Sequence, residues 1–126
     1  PIAKSKGIPI KVEPGICEVL NAQYPPGFWS AGQLAKAGFP IHVDYEPVMT
    51  KSQLRRERSD WEAARRSTRV ATTIRNTLDG PILFCGHGAS CLGIAEAFGD
   101  SGYVGYSSFS HYVLTSAGKS KWQVKA

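Results

Sequence analysis

"PILFCGHGASCLGIAEAFG", residues Pro81–Gly99, joins two different hydrophobic patterns through a single turn. Ile82–Cys85 is a short continuous apolar run of the kind a buried strand uses, whereas Cys91, Ile94, Ala95 and Phe98 recur at the spacing of one helix face. Gly86-His87-Gly88 stands between them. A strand feeding directly into a helix is the unit of α/β architecture, and open α/β sheets bind ligands at the carboxyl ends of their strands. The first N–H groups of a helix have no acceptor within it, so together with the helix dipole they favour an anion. Flanking glycines let a ligand approach the backbone, and an imidazole there can donate to a phosphate oxygen or a developing oxyanion. The competing role for His87 is purely structural, a histidine satisfied in the core that caps the helix.

Working outward, Asp79-Gly80 closes a long helical pattern that a capping box at Thr50 and Gln53 opens. Leu54, Trp61, Ala64, Thr68, Ala71, Ile74 and Leu78 form its expected buried stripe, and Arg55, Arg58, Arg65, Arg66 and Arg69 cluster on the other face. Upstream, Ile8–Val12 alternates like a short edge strand, and Ile41, Val43 and Tyr45 form a second extended piece. Between these pieces "EPGICEVLNAQYPPGFW" (residues 13–29) is rich in turn formers and aromatics, which marks an ordered functional loop. "SAGQLAKAG" reads as a short helix with Ser30 as cap, Gln33 completing a capping box and Gly38 as stop. The chain finishes as a hairpin, His111–Thr115 and Trp122–Val124 around a turn at Ala117-Gly118, while residues 1–7 read as polar and flexible.

At 126 residues the chain holds one domain of α/β type. Its charge of +5 arises largely between Leu54 and Leu78 and favours phosphorylated or otherwise anionic partners. No secretory signal or membrane-spanning run is visible, and Cys17, Cys85 and Cys91 read as buried free thiols suited to a cytoplasmic setting. Histidines, cysteines and acids show no metal-ligand spacing, and no cofactor is expected. His42 reads as a solvent-facing strand residue and His111 as structural. The first residue is Pro1, so the expectation is a processed chain or a fragment of a longer one.

"PILFCGHGASCLGIAEAFG" resembles the second histidine motif of the histidine phosphatase (phosphoglycerate mutase-like) superfamily. "IKVEPGICEVL", "LAKAGFPIHVDYEPVM" and Glu57 with Arg65 resemble, in the same order, the branch containing the suppressor-of-T-cell-receptor-signalling tyrosine phosphatases. The closing "HYVLTSAGKSKWQVK" is similar to the last hairpin of many members. The resemblance covers nearly the whole chain and implies a three-layer αβα fold. It also implies hydrolysis of phosphomonoesters through a phosphohistidine. It makes His87 the second histidine that holds phosphoryl oxygens, Gly88 a backbone donor to the phosphate, and Glu18 the acid that protonates the leaving oxygen, with Glu13 as competitor. A carboxyl on such a loop suits that task when partial desolvation raises its pKa. Arg65 matches a recurrent family residue, for which a structural salt bridge is expected.

The Arg-His-Gly that carries the family's nucleophile is absent from these residues, as is the segment supplying the second phosphate-binding arginine. The expectation is the C-terminal portion of one domain (1–126), truncated by loss of the first strand and helix and inactive alone. In the family the first strand lies beside the one ending at His87. Its loss leaves Ile82–Cys85 an open edge, so a homodimer or pairing with the N-terminal segment is expected. The substrate would be a phosphorylated small molecule or a phosphoprotein. Alternatives are a mutase-type phosphoryl transferase, and a non-catalytic module that binds anions or nucleic acid through its arginine face. An esterase ranks last, because no Gly-x-Ser-x-Gly elbow is present.

Overall fold

The computed structural model describes residues 1–101, 105, 109–113 and, for the backbone, 123–125. Two helices organise it: α3 (Asp60–Thr77) and α4 (Gly88–Ala97), preceded by the short helices α1 (Ile2–Lys6) and α2 (Ala31–Lys36). β1 (His111–Val113) pairs antiparallel with β2 (Gln123–Lys125), Tyr112 opposite Val124. Among the described residues the architecture is therefore mixed and helix-dominated, with this two-stranded pair and one isolated parallel bridge between Ile10 and Ile41.

α3 carries Ala63, Ala64, Val70, Ala71 and Ile74 on its inner side, and these small or branched side chains let α4 lie close. Gly93 marks the closest approach. A Cβ placed there would sit 2.1 Å from the Ala64 carbonyl oxygen and 2.9 Å from the Ser67 Cβ. Thr68 Oγ1 donates to Glu96 Oε2 at 3.0 Å, and Arg75 Nη1 donates to the Ala97 carbonyl. At the far end Phe98 stacks on Tyr112, ring centroids 4.9 Å apart, and meets Phe84 edge-on at 6.1 Å. These contacts tie α4, β1 and the extended segment 81–87 into one apolar cluster with Ala71, Ile94 and Ala97.

The interface yields a direct test. Gly93→Ala forces α3 and α4 apart, because the obstructing atom is backbone rather than a pliable side chain. A loss of about 3 kcal/mol, the upper part of the usual overpacking range, is expected in urea unfolding at unchanged m. A variant within about 0.5 kcal/mol of wild type, the scatter of a neutral surface change, would contradict this packing.

Several expectations change in detail. The pattern from Thr50 to Leu78 is not one helix. The Gln53 side chain accepts from the Thr50 N–H at 2.8 Å as a capping box should, but the turn it caps is only a 3₁₀ turn, Lys51–Gln53. The chain then runs irregularly to Ser59, the N-cap of α3. Leu54 is buried as expected, from outside the helix, while Trp61 in the first turn of α3 is 64% exposed. α2 follows its reading: Ser30 Oγ accepts from Gln33 N–H, Gln33 Oε1 accepts from Ser30 N–H, and Gly38 turns at φ +88°. Residues 2–6, expected to be loose, form a helical turn closed by Gly7 at φ +64°, without a buried residue. The upstream extended pieces meet only at the Ile10–Ile41 bridge, because the chain turns after His42, whose carbonyl accepts from Tyr45 N–H. Residues 81–87 join no ladder among the described residues, with Ile82 and Phe84 half-buried and Leu83 exposed. The hairpin is present as the β1–β2 pair, and its expected turn at Ala117-Gly118 lies outside the described residues.

Candidate functional site

Segment 81–87 delivers His87 to the N-terminus of α4, where it is the N-cap residue. The capping is done by Ser90. Its hydroxyl accepts from His87 N–H and donates to the His87 carbonyl, both at 2.9 Å, so the imidazole is not needed as a cap. The ring points outward, with 62% of the side chain exposed, and Nδ1 lies 3.1 Å from Glu18 Oε2. Gly86 is required by packing: a Cβ there would stand 2.8 Å from Ser90 Oγ and 3.7 Å from the Ile16 carbonyl oxygen. That close approach brings His87 against the loop bearing Glu18. Nothing lies within 4 Å of a Cβ at Gly88, so the space over the first turn of α4 is open.

Glu18 is held from behind. Arg66 is 8% exposed and distributes its guanidinium over the whole loop. Nη1 donates to the Gly15 carbonyl at 2.8 Å, and Nη2 donates to the Cys17 and Glu18 carbonyls at 3.2 Å each. Nε and Nη2 also grip Glu57 at 2.7 and 3.1 Å, and Glu57 Oε2 accepts from Leu20 N–H at 2.9 Å. Burial by itself would lower the Arg66 pKa, but the bond to Glu57 turns the balance and raises it. A planar fork satisfying so many acceptors fixes the backbone on either side of Glu18. Glu18 Oε1 takes the Val19 N–H at 2.9 Å, which leaves Oε2 for His87.

Glu13, the other carboxylate considered, has a structural task. It is buried and accepts from Gly15, Val48 and Met49 N–H groups and from the Tyr45 hydroxyl at 2.7–3.1 Å. Burial, then the bond to Glu13, pushes the Tyr45 phenol well above its usual range and keeps it a donor. Glu57 pairs with Arg66, one residue beyond the Arg65 expected for that role, and Arg65 is exposed. Arg66 falls between Ala63 and Val70 on the buried side of α3, which is the signal that could have found it. The arginine cluster is correspondingly smaller than expected. Arg55 and Arg58 precede α3 and Arg66 is internal, so Arg65 and Arg69 remain on its exposed face.

All three thiols are free; Cys17 and Cys91 are half-buried rather than buried, and Cys85 is exposed, on a segment that joins no ladder among the described residues. Burial pushes Cys17 and Cys91 upward, which keeps these thiols beside the site protonated and weakly nucleophilic. His42 is half-buried, with its Nδ1 unpartnered among the described residues, rather than solvent-facing. His111 is exposed and stacks near Phe109. Among the described residues no group of three or more histidines, cysteines or acids gathers as a metal site, and no helix is long and apolar enough to cross a membrane.

A protonated imidazole donates from both nitrogens, so His87 can keep Glu18 on Nδ1 while Nε2 meets an outside acceptor. The first-turn N–H groups of α4 add donors in the same direction. No protein-family model and no curated protein matches the chain.

Proposed function

We infer that this chain is the C-terminal part of a histidine phosphatase domain of three-layer αβα design, cleaving phosphomonoesters through a phosphohistidine formed elsewhere in the same protein. The observation that carries the reading is the 3.1 Å contact between His87 and Glu18. Residues distant in sequence, each given a role by the resemblance, meet at an open helix N-terminus. In the proposed reaction the phosphoryl oxygens rest against His87 Nε2–H and Gly88 N–H. The attacking histidine belongs to an Arg-His-Gly outside these residues. Glu18, carrying a proton, delivers it to the departing oxygen as the ester bond breaks. The full-length gene product should hydrolyse p-nitrophenyl phosphate and yield an acid-labile phosphohistidine on quenching, and the isolated 126 residues should do neither. Full activity in the isolated chain, or none in the full-length product, would overturn the reading.

The same reading assigns an occupant to the groove beside segment 81–87. Among the described residues no backbone hydrogen bond engages Ile82–Cys85, and β1 pairs on one side with β2. A groove of about 570 Å³ lies between them, lined by Ile82, Leu83, Phe84, Phe98 and Tyr112 among others. Open N–H and C=O groups above an apolar floor fit an inserted strand. In the full-length protein that strand is the one bearing the nucleophile; in the isolated chain a second copy takes the exposed edge. Sedimentation equilibrium of the isolated chain should therefore show dimers at micromolar concentration, and a stable monomer there would remove the open-edge proposal.

A further inference from the structure

Ile2, Ile8, Phe39 and Val43 are each more than half exposed, and Ile10 is exposed as well. Main-chain bonds join the segments that carry them. Ile8 N–H donates to the Ala3 carbonyl of α1 at 3.0 Å, and Phe39 N–H donates to the Leu34 carbonyl of α2 at 3.2 Å. Ile10 links the two: its N–H donates to the Pro40 carbonyl at 2.6 Å, and its carbonyl accepts from His42 N–H at 2.9 Å. Neither α1 nor α2 buries any residue of its own. Exposed apolar side chains that stand together, rather than singly, mark an interaction surface. None of these residues lines the groove beside segment 81–87, so this face is separate from the one assigned to an inserted strand.

The charge on these segments has one sign. Residues 1–12 and 30–43 carry Lys4, Lys6, Lys11 and Lys36, all exposed, and no aspartate or glutamate. Glu13, next along the chain, is buried and bound by main-chain N–H groups, and Asp44 is the first exposed acid beyond Val43. Lys4, Lys6 and Lys36 have no hydrogen-bond or ion-pair partner among the described residues, while Lys11 Nζ lies 5.7 Å from the centre of the Tyr45 ring. Lys6 stands one helical turn from Ile2. The exposed arginines of α3, by contrast, share their helix with the exposed acids Asp60 and Glu62. We propose that the face built from α1, Ile8–Lys11 and Lys36–Val43 docks on an anionic lipid surface. Its isoleucines and Phe39 enter the boundary between headgroups and acyl chains, and its lysines meet the negative headgroups above. A lysine suits that task because its stem lies along apolar surface while its ammonium, a compact charge, needs no fixed geometry in its partner. The proposal does not rest on the phosphatase reading.

The test is co-sedimentation of the full-length gene product with vesicles of phosphatidylcholine alone, or of phosphatidylcholine and phosphatidylserine in equal parts. Wild type should bind the mixed vesicles at least about tenfold more tightly than the neutral ones, and added salt should weaken that binding. Lys4→Gln/Lys6→Gln should weaken it about thirtyfold, roughly fivefold for each lysine at the surface. Ile8→Ser/Phe39→Ser should weaken it about tenfold through lost apolar burial. Arg65→Gln/Arg69→Gln removes the same charge from the exposed face of α3 and should leave binding at the wild-type level. All six side chains are exposed, and circular dichroism should show each variant folded. Equal binding to the two vesicle types overturns the anionic surface. Binding that Ile8→Ser/Phe39→Ser leaves untouched overturns the inserted face, and a loss as large in Arg65→Gln/Arg69→Gln overturns the assignment to these lysines. No binding to either vesicle overturns the lipid partner and favours an acidic protein as the occupant.

Discussion

Replacing Arg66 by methionine is expected to lower stability by about 3–5 kcal/mol, because it strands a buried carboxylate. Glu57 is 7% exposed and would keep only the Leu20 N–H, while the Gly15, Cys17 and Glu18 carbonyls would lose a shared donor. Arg66→Lys should recover little. An ammonium is a point donor without the planar reach to serve Glu57 and three carbonyls together. Pairing Arg66→Met with Glu57→Leu should restore part of the loss, since removing both charges of a buried pair costs far less than removing one. The restoration stays partial because the loop carbonyls are still orphaned. Urea unfolding of wild type, Arg66→Met, Glu57→Leu and the double variant reads this cycle directly. A single Arg66→Met variant within about 1 kcal/mol of wild type, a typical value for an ordinary substitution, would mean that the pair does not hold the loop.

The second large effect is on chemistry and leaves stability alone. His87 and Glu18 are substantially exposed, so His87→Ala and Glu18→Gln should unfold within about 0.5 kcal/mol of wild type. In the full-length protein His87→Ala should reduce kcat/KM by roughly 10²–10³, as loss of one donor to developing charge does. It should do so for every phosphomonoester, because the phosphoryl group is common to all. Glu18→Gln should behave differently. Loss of a general acid costs roughly 10²–10⁴ when the departing alkoxide needs a proton, and much less for p-nitrophenolate, which leaves unprotonated. A steep dependence of the Glu18→Gln defect on leaving-group basicity identifies proton donation. Equal losses for alkyl and p-nitrophenyl phosphates would instead make Glu18 a positioning residue for His87, and an unchanged His87→Ala variant would remove His87 from the reaction.

The turn from Gly86 to Gly88 was legible because two hydrophobic periods collide there, and the structure places His87 at the helix N-terminus that this collision implies. Glu18 enters as a candidate by resemblance alone, and its contact with His87 was not legible, because no local pattern reveals that a loop carboxylate will meet a histidine from another element. Arg66 was hidden by its neighbours: in a run of arginines, the choice between Arg65 and Arg66 depends on the helix phase, and that phase was set too early by starting the helix at Thr50. Local capping chemistry at Thr50 and Gln53 is satisfied by a single 3₁₀ turn, so a correct cap did not guarantee a long helix. Trp61 belongs to the expected stripe for the same reason, yet it is exposed, and the smaller Ala64 meets α4 at Gly93. The apolar run Ile82–Cys85 reads as a buried strand because its composition is that of one; with no strand beside it among the described residues, Leu83 and Cys85 are exposed.

At the centre of the account is a phosphoryl group seated between the His87 ring and the first turn of α4. The most direct measurement is a titration of the ¹⁵N-histidine-labelled full-length protein with orthovanadate, following the three imidazoles of this chain by NMR. A saturable shift of the His87 ring nitrogens is expected, while His42 and His111 stay still. Saturable vanadate inhibition with the His87 ring signals unmoved would contradict it.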